Sequence, residues 1–162
     1  MKRAGTLSCD LHALTARLDR SADRILQAAH GLSYRRFLTL LTVGELGAAT
    51  QRAVADRLGV SEPSASRMTG ILVELGLLDS RPDPGGGNRR RLTLTEPGTQ
   101  VVRQCRELLE QRFADLVRRS GVTYADYARD TGRLLGALGS APAAREEPPA
   151  HSSGSASSGV GP

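Results

Sequence analysis

The sequence predicts a mainly α-helical chain interrupted by one β-hairpin, and three observations carry that expectation. Leucines recur at helical spacing near the N-terminus, and a second long apolar stripe runs through 101–117. Between them, two short helical patterns are joined through Gly59 and a serine, Ser61, of the type that caps helices. A turn-rich stretch then separates two strand-like runs, the second of which reads "RLTLT".

Leu7, Leu11, Leu14 and Leu18 share one helix face, and Ile25 continues it a heptad later. A first helix is therefore expected from about 6 to 29, stopped near Gly31. Tyr34, Phe37, Leu38 and Leu41 mark a second helix, ending by Gly47. Thr50 is placed to cap a short third helix that runs to Leu58, with Gly59 as the turn. Ser61 opens a fourth, with Pro63 tolerated in its first turn and Gly76 at its end. Leu77 and Leu78 lead into a strand. Pro82-Asp83-Pro84-Gly85-Gly86-Gly87-Asn88 is turn chemistry, and "RLTLT" alternates as a half-buried return strand does. Thr95 caps a fifth helix starting near Pro97, with Val101, Val102, Cys105, Leu108, Leu109, Phe113, Leu116 and Val117 on its apolar face. A sixth spans roughly 124–138. From Ser140 onward Ala, Pro, Ser and Gly dominate beside Glu146 and Glu147, so a disordered tail is expected.

At 162 residues one globular body is the default. Aromatic residues make up 3% of the chain and tryptophan is absent, so the core must be aliphatic. The net charge of +5 suits an anionic partner, although solubility alone also accounts for a charge of this size. No run of eighteen apolar residues is present, and the N-terminus lacks the apolar segment of a signal peptide. A cytoplasmic protein without a membrane partner is expected, its two cysteines reduced.

Four helices, a hairpin and two helices make a winged helix-turn-helix plan over 33–95, with an N-terminal dimerisation helix at 1–32, C-terminal dimerisation helices at 96–139 and the tail at 140–162. Leu11, Leu14 and Leu18 need a partner surface, as do Leu109, Phe113 and Leu116. Packing the ends of two copies together would supply it, giving a symmetric homodimer.

The major groove of a DNA duplex admits one helix, and a helix-turn-helix places its second helix there. The inner face must be apolar; Val54, Leu58, Val60, Ala65, Met68 and Leu72 meet that need. The outer face must be small or hydrogen-bonding, and Ser61, Ser64, Ser66 and Arg67 are the candidate contacts. Glu62 either accepts from cytosine or favours the positive helix end. Arg89, Arg90 and Arg91 follow a glycine-rich tip. Arginine suits a narrow minor groove, where the negative potential is strongest. Strand alternation sends Arg89 and Arg91 one way and Arg90 the other, so one or two are expected at DNA. The bland alternatives are a solvated hairpin tip and a helix-turn-helix used only for protein interaction.

The segments "GLSYRRFLTLL", "RAVADRLGVSEPSASRMTGILVELGLLDSRPDP" and "RLTLTEPG" resemble the MarR family of transcriptional regulators over about 7–138. The resemblance implies a winged-helix homodimer on a pseudo-palindromic operator, usually repressing. It also implies a crevice beside the dimer interface for a small phenolic or lipophilic effector. By position, Ser61, Ser64, Ser66 and Arg67 match the family's recognition-helix contacts. One feature departs from the family's pattern. Its wing carries Asp, any residue, then Arg; here those places hold Gly86 and Asn88, with Arg89 one step later. Either Arg89 takes over the minor-groove role or the tip is looser, with Asp83 as the nearest acid to brace it.

Cys105 lies on an apolar stripe and reads as a buried, inert thiol. Cys9 lies off the leucine stripe near His12, which makes it the candidate redox residue. The resemblance points the same way, because one branch of the family senses organic hydroperoxides through a first-helix cysteine. That branch surrounds its cysteine with aromatic residues, whereas Ser8, Asp10 and Leu11 stand here. A Cys9–Cys105 disulfide, within or between subunits, stays open at this stage. His12, His30 and His151 lack partners at metal-ligand spacing, so no metal or cofactor is expected. No nucleophile elbow, phosphate loop or carboxylate pair is present, so a non-enzyme is expected.

Overall fold

Capping chemistry sets most of the element boundaries in the structure, a computed structural model that describes residues 6–86 and 89–140. The tail expected to be disordered, with Glu146, Glu147 and His151, lies outside the described residues beyond Ser140, as do Gly87 and Asn88 of the hairpin tip.

Helix α1 (Leu7–His30) ends at Gly31, whose φ of 62° lets its amide bond back to the Gln27 carbonyl and the Leu32 amide to the Leu26 carbonyl. Helix α2 (Tyr34–Leu46) starts with two side-chain caps. Ser33 Oγ accepts from the Arg36 amide, and Asp23 of α1 accepts from the Tyr34 amide at 2.9 Å. Strand β1 (Ala49–Thr50) leads into α3 (Gln51–Leu58), capped as expected by the Thr50 hydroxyl on the Ala53 amide. Gly59, at φ 63°, closes α3, and Ser61 caps α4 (Glu62–Glu74). Strands β2 (Leu78–Pro82) and β3 (Arg90–Leu94) form the hairpin, with Ser80 opposite Leu92 and Arg81 opposite Arg91. Helix α5 (Glu96–Ser120) and helix α6 (Tyr124–Ser140) complete the order.

The sheet has a third strand that the sequence did not suggest. β1 pairs antiparallel with β3, giving the order β1-β3-β2. Two residues are too few to show alternation, so only the pairing of Ala49 with Leu92 and Thr50 with Arg91 reveals it. Arg89 is likewise not part of β3; it precedes the strand, so strand alternation does not fix its direction.

The aliphatic core joins α1 through α4, the sheet and the first half of α5. Leu26, Phe37, Leu40, Val43, Val54, Ala65, Leu72, Leu78, Leu92, Val102 and Cys105 are all buried in one cluster. Burial of each leucine contributes about 1.5–3 kcal/mol relative to exposure. Gly98 sits where the start of α5 meets the chain leaving α4. A Cβ there would run into the Leu77 carbonyl oxygen, so this position requires glycine. Thr95 locks the same corner, donating to the Gly76 carbonyl at 2.7 Å and accepting from the Gly98 amide at 3.1 Å.

Two compact units divide the chain, one up to Leu116 and one from Val117. The core just described belongs to the first. In the second, Gly121 turns the chain at φ 79°, and α6 carries an ion-pair run in which Arg129 meets Asp126 at 2.8 Å and Asp130 at 3.2 Å. Leu134, Leu135 and Leu138 of α6 are exposed.

Candidate nucleic-acid interface

Helices α3 and α4 are joined through Gly59, Val60 and Ser61, and the Val60 amide bonds back to the Ala55 carbonyl at 3.0 Å. Of the six residues expected to face inward, Val54, Ala65 and Leu72 are buried, and Leu58, Val60 and Met68 are half-buried. Thr39 of α2 also fastens the second helix from the inside. Its hydroxyl lies 3.8 Å from Met68 Sδ and 2.9 Å from the Arg35 carbonyl.

The outward residues fall into two kinds. Ser66 and Arg67 are exposed, with no side-chain bond among the described residues. Ser61 is exposed but occupied: its Oγ accepts from the Ser64 amide at 3.4 Å and donates to Ser64 Oγ at 3.0 Å. Its hydroxyl is therefore held by the helix cap. Ser64, which receives that bond, keeps its own hydroxyl proton to donate. Glu62 lies exposed in the first turn, where a carboxylate favours the positive helix end.

The three wing arginines are not equivalent. Arg90 reaches across the hairpin, donating to Ser80 Oγ and to the Ser80 carbonyl, each at 2.7 Å. Arg91 pairs with Asp83 at 3.5 Å, and that carboxylate is 13% exposed. Asp83 also organises the tip: its side chain accepts from the Gly85 amide at 3.3 Å, and its own amide donates to the Arg89 carbonyl at 2.9 Å. Asp83 thus braces Arg91 rather than Arg89, and a second acid, Asp79, pairs with Arg81 at 2.7 Å. Arg89 is exposed, and its side chain has no hydrogen bond or ion pair among the described residues.

Two hollows adjoin this face. The larger, about 840 Å³, is lined by Arg17, Arg20, Arg24 and Arg35 with Asp19, Asp23 and Tyr34, besides Leu38 and Leu58. Burial, and then the charge of Asp19, push the Tyr34 phenol above its ordinary pKa, so it stays a neutral donor. The smaller, about 350 Å³, lies between the start of α2 and α4 and is lined by Ser33, Arg35, Arg36, Ser64, Arg67, Met68 and Ile71. Arg35 and Arg36 were absent from the residues singled out by sequence. Their signal was the "SYRRF" run: two cations in the first turn of a helix with no acid there.

Cys9 is exposed, and Thr6 Oγ1 donates to its sulfur at 3.1 Å. Cys105 is buried, and burial pushes its thiol pKa up. Both are free thiols, so the chain contains no Cys9–Cys105 bond. Among the described residues no His, Cys, Asp and Glu cluster could hold a metal ion, and no helix is long and apolar enough to cross a membrane.

Comparison with known proteins gives a consistent picture. The sequence profile of the MarR family matches residues 30–87, which hold α2 through the first half of the hairpin. An uncharacterised HTH-type transcriptional regulator of Mycobacterium bovis is 27% identical over 132 residues, covering 82% of this chain and 92% of that protein. A cysteine-to-serine mutant of MarR from E. coli superposes with a TM-score of 0.74 at 21% identity, over 85% of this chain and 99% of that one. The same mutant complexed with operator DNA gives 0.67, over 82% and 93% of the two chains. NadR in complex with 4-hydroxyphenylacetate gives 0.67 at 17% identity, over 86% and 96%. With its helix-turn-helix, three-stranded wing sheet and flanking helices, the chain is similar to helix-turn-helix transcriptional regulators over most of its length, and its residues 30–87 match the MarR family.

Proposed function

We propose that this protein represses transcription by binding a pseudo-palindromic duplex operator as a homodimer, its affinity modulated by a small-molecule effector. In each subunit α4 enters the major groove. Ser64, Ser66 and Arg67 provide side-chain contacts, and Ser61 fixes the helix end whose amides face a phosphate. Arg89, Arg90 and Arg91 form the wing. The observation that carries the reading is the division of labour in that wing. Two arginines are tied into the hairpin by Ser80 and Asp83, while Arg89, next to the tip, is left uncommitted and in this reading enters the adjacent minor groove. The domain plan follows from the same reading: 1–32 and 96–139 make the dimer, and 33–95 meets DNA.

The α1–α2 hollow is the effector site in this reading. Four arginines against two aspartates suit an effector that carries an anionic group on a phenolic or lipophilic body. NadR, of similar fold, is known with the phenolic acid 4-hydroxyphenylacetate bound.

A second reading, thiol sensing through Cys9, is favoured by its exposure and by the Thr6 hydrogen bond to its sulfur. One experiment separates the two. Fluorescence anisotropy is measured with duplex DNA from upstream of the protein's own gene, using reduced and peroxide-treated protein. Salt-dependent binding by both forms, weakened by about 1–3 kcal/mol in Arg67→Ala, is the expected result. Binding lost on peroxide treatment, but kept in Cys9→Ser, transfers regulation to the thiol. Arg67→Ala and Arg89→Ala variants that bind like the parent would remove α4 and the wing from the interface.

A further inference from the structure

The groove between the start of α2 and α4 brings three guanidinium groups together and has no carboxylate in its lining: Ser33, Arg35, Arg36, Ser64 and Arg67 surround it, beside Met68. Resting on the DNA-binding reading above, we propose that this groove seats a backbone phosphate of the duplex, held by Arg35 and Arg36 of α2 together with Arg67 of α4.

Four observations support it. Arg35, Arg36 and Arg67 have no ion pair among the described residues, whereas Arg57, Arg91 and Arg129 each meet an acid. The two arginines of α2 stand in its first turn, where the helix dipole disfavours cations and where α2 has no acid of its own; the Asp23 carboxylate of α1 at that end is taken up by the Tyr34 amide. A residue choice that works against local stability marks a position kept for another purpose. The hydroxyls also point to an acceptor-rich ligand. Ser33 Oγ accepts from the Arg36 amide and Ser64 Oγ accepts from Ser61, so both keep a proton to donate. The groove therefore offers donors from two helices, which matches a phosphate diester with its one negative charge shared over two oxygens. Finally, Ser64 and Arg67 belong both to this groove and to the outward face of α4. A phosphate held there lies at the rim of the base-reading surface and fixes the height and tilt of α4 in the major groove. Its role is positioning: it strengthens binding to any duplex without reading sequence.

The test uses the full chain and two labelled duplexes, one from upstream of its gene and one of mixed sequence, titrated over a series of NaCl concentrations. For Arg36→Ala, the slope of log affinity against log salt should shrink, and for the Arg35→Ala/Arg36→Ala double variant it should shrink by about 0.9, the share of one phosphate. The loss should be the same on both duplexes, and Arg36→Lys should restore the slope. Thermal melting of each variant guards against loss of fold. Should Arg36→Ala melt early, Arg36→Gln, which keeps the side-chain carbons through Cδ but not the charge, takes its place in the salt series. Wild type that binds DNA while the double variant keeps the full slope overturns the phosphate seat alone. Wild type that binds neither duplex overturns the seat and the DNA-binding reading together.

Discussion

Cys105 is fully buried in the aliphatic core, while Cys9 is exposed in the first turns of α1. The same side chain therefore has two chemistries. With a thiol-specific reagent at mildly alkaline pH, one thiol per chain, Cys9, should react quickly, and Cys105 should react only as the protein unfolds. Two fast thiols would mean that the core opens around α5. Cys105 also sets a pH dependence. Burial raises its pKa in the folded state, so the folded chain keeps a proton that the unfolded chain releases. Its stabilising contribution is complete below the unfolded thiol value of about 8.5 and is lost as pH rises through the higher folded value. Denaturant midpoints should fall over that alkaline window in wild type and fall less in Cys105→Ala. Asp83 belongs to this scale too. The acid expected near Gly86 by family resemblance is missing, and a carboxylate three residues earlier in the chain organises the tip by pairing with Arg91.

The corner between α4 and α5 shows how elements are locked together. Gly98 lies against the Leu77 carbonyl, and Thr95 hydrogen-bonds on both sides of the junction. Gly98→Ala inserts a methyl where there is no room. It should destabilise the fold by about 1–3 kcal/mol or more, read as a lower melting midpoint. Because β3 ends at Leu94, the strain should also reach the wing and weaken DNA binding. A variant as stable as the parent would show that the corner relaxes freely. The caps at Thr50, Ser61 and Thr95 are legible as helix starts because Ser and Thr satisfy first-turn amides, and Ser33, absent from the residues singled out by sequence, caps α2 in the same way.

Across the whole molecule, exposed leucines at both ends of the chain stand out. Leu7 is 73% and Leu138 is 75% exposed, and Leu11, Leu14, Leu116, Leu134 and Leu135 are exposed as well. Apolar residues repeated along helices in this way are unfavourable in water unless covered. A second copy of the chain covers them in the homodimer reading. Leu11→Asp with Leu14→Asp should then convert a dimer into a monomer in sedimentation velocity, and operator affinity should fall by orders of magnitude as one half-site is lost. A double variant that sediments like wild type would place the dimer interface elsewhere.

The sequence by itself determined the helix order, the turn at Gly59, the caps, the hairpin and the inward face of α4. Each depends on interactions among residues close in the chain: apolar spacing, first-turn hydrogen bonds and glycine at positive φ. The buried state of Cys105 was legible for the same reason, as one position on an apolar stripe. Tertiary structure alone decided the rest. The pairing of β1 with β3 joins residues some forty positions apart through a strand too short to have a pattern. The sorting of three neighbouring arginines depends on Ser80 and Asp83 across the hairpin. Arg35 and Arg36 gain their meaning from Ser64 and Arg67, roughly thirty residues away, because only packing of α2 on α4 brings like charges into one groove. Periodicity reports which face of an element is buried; it does not report which other element lies against it, and the charge pattern of this surface is set by that second fact.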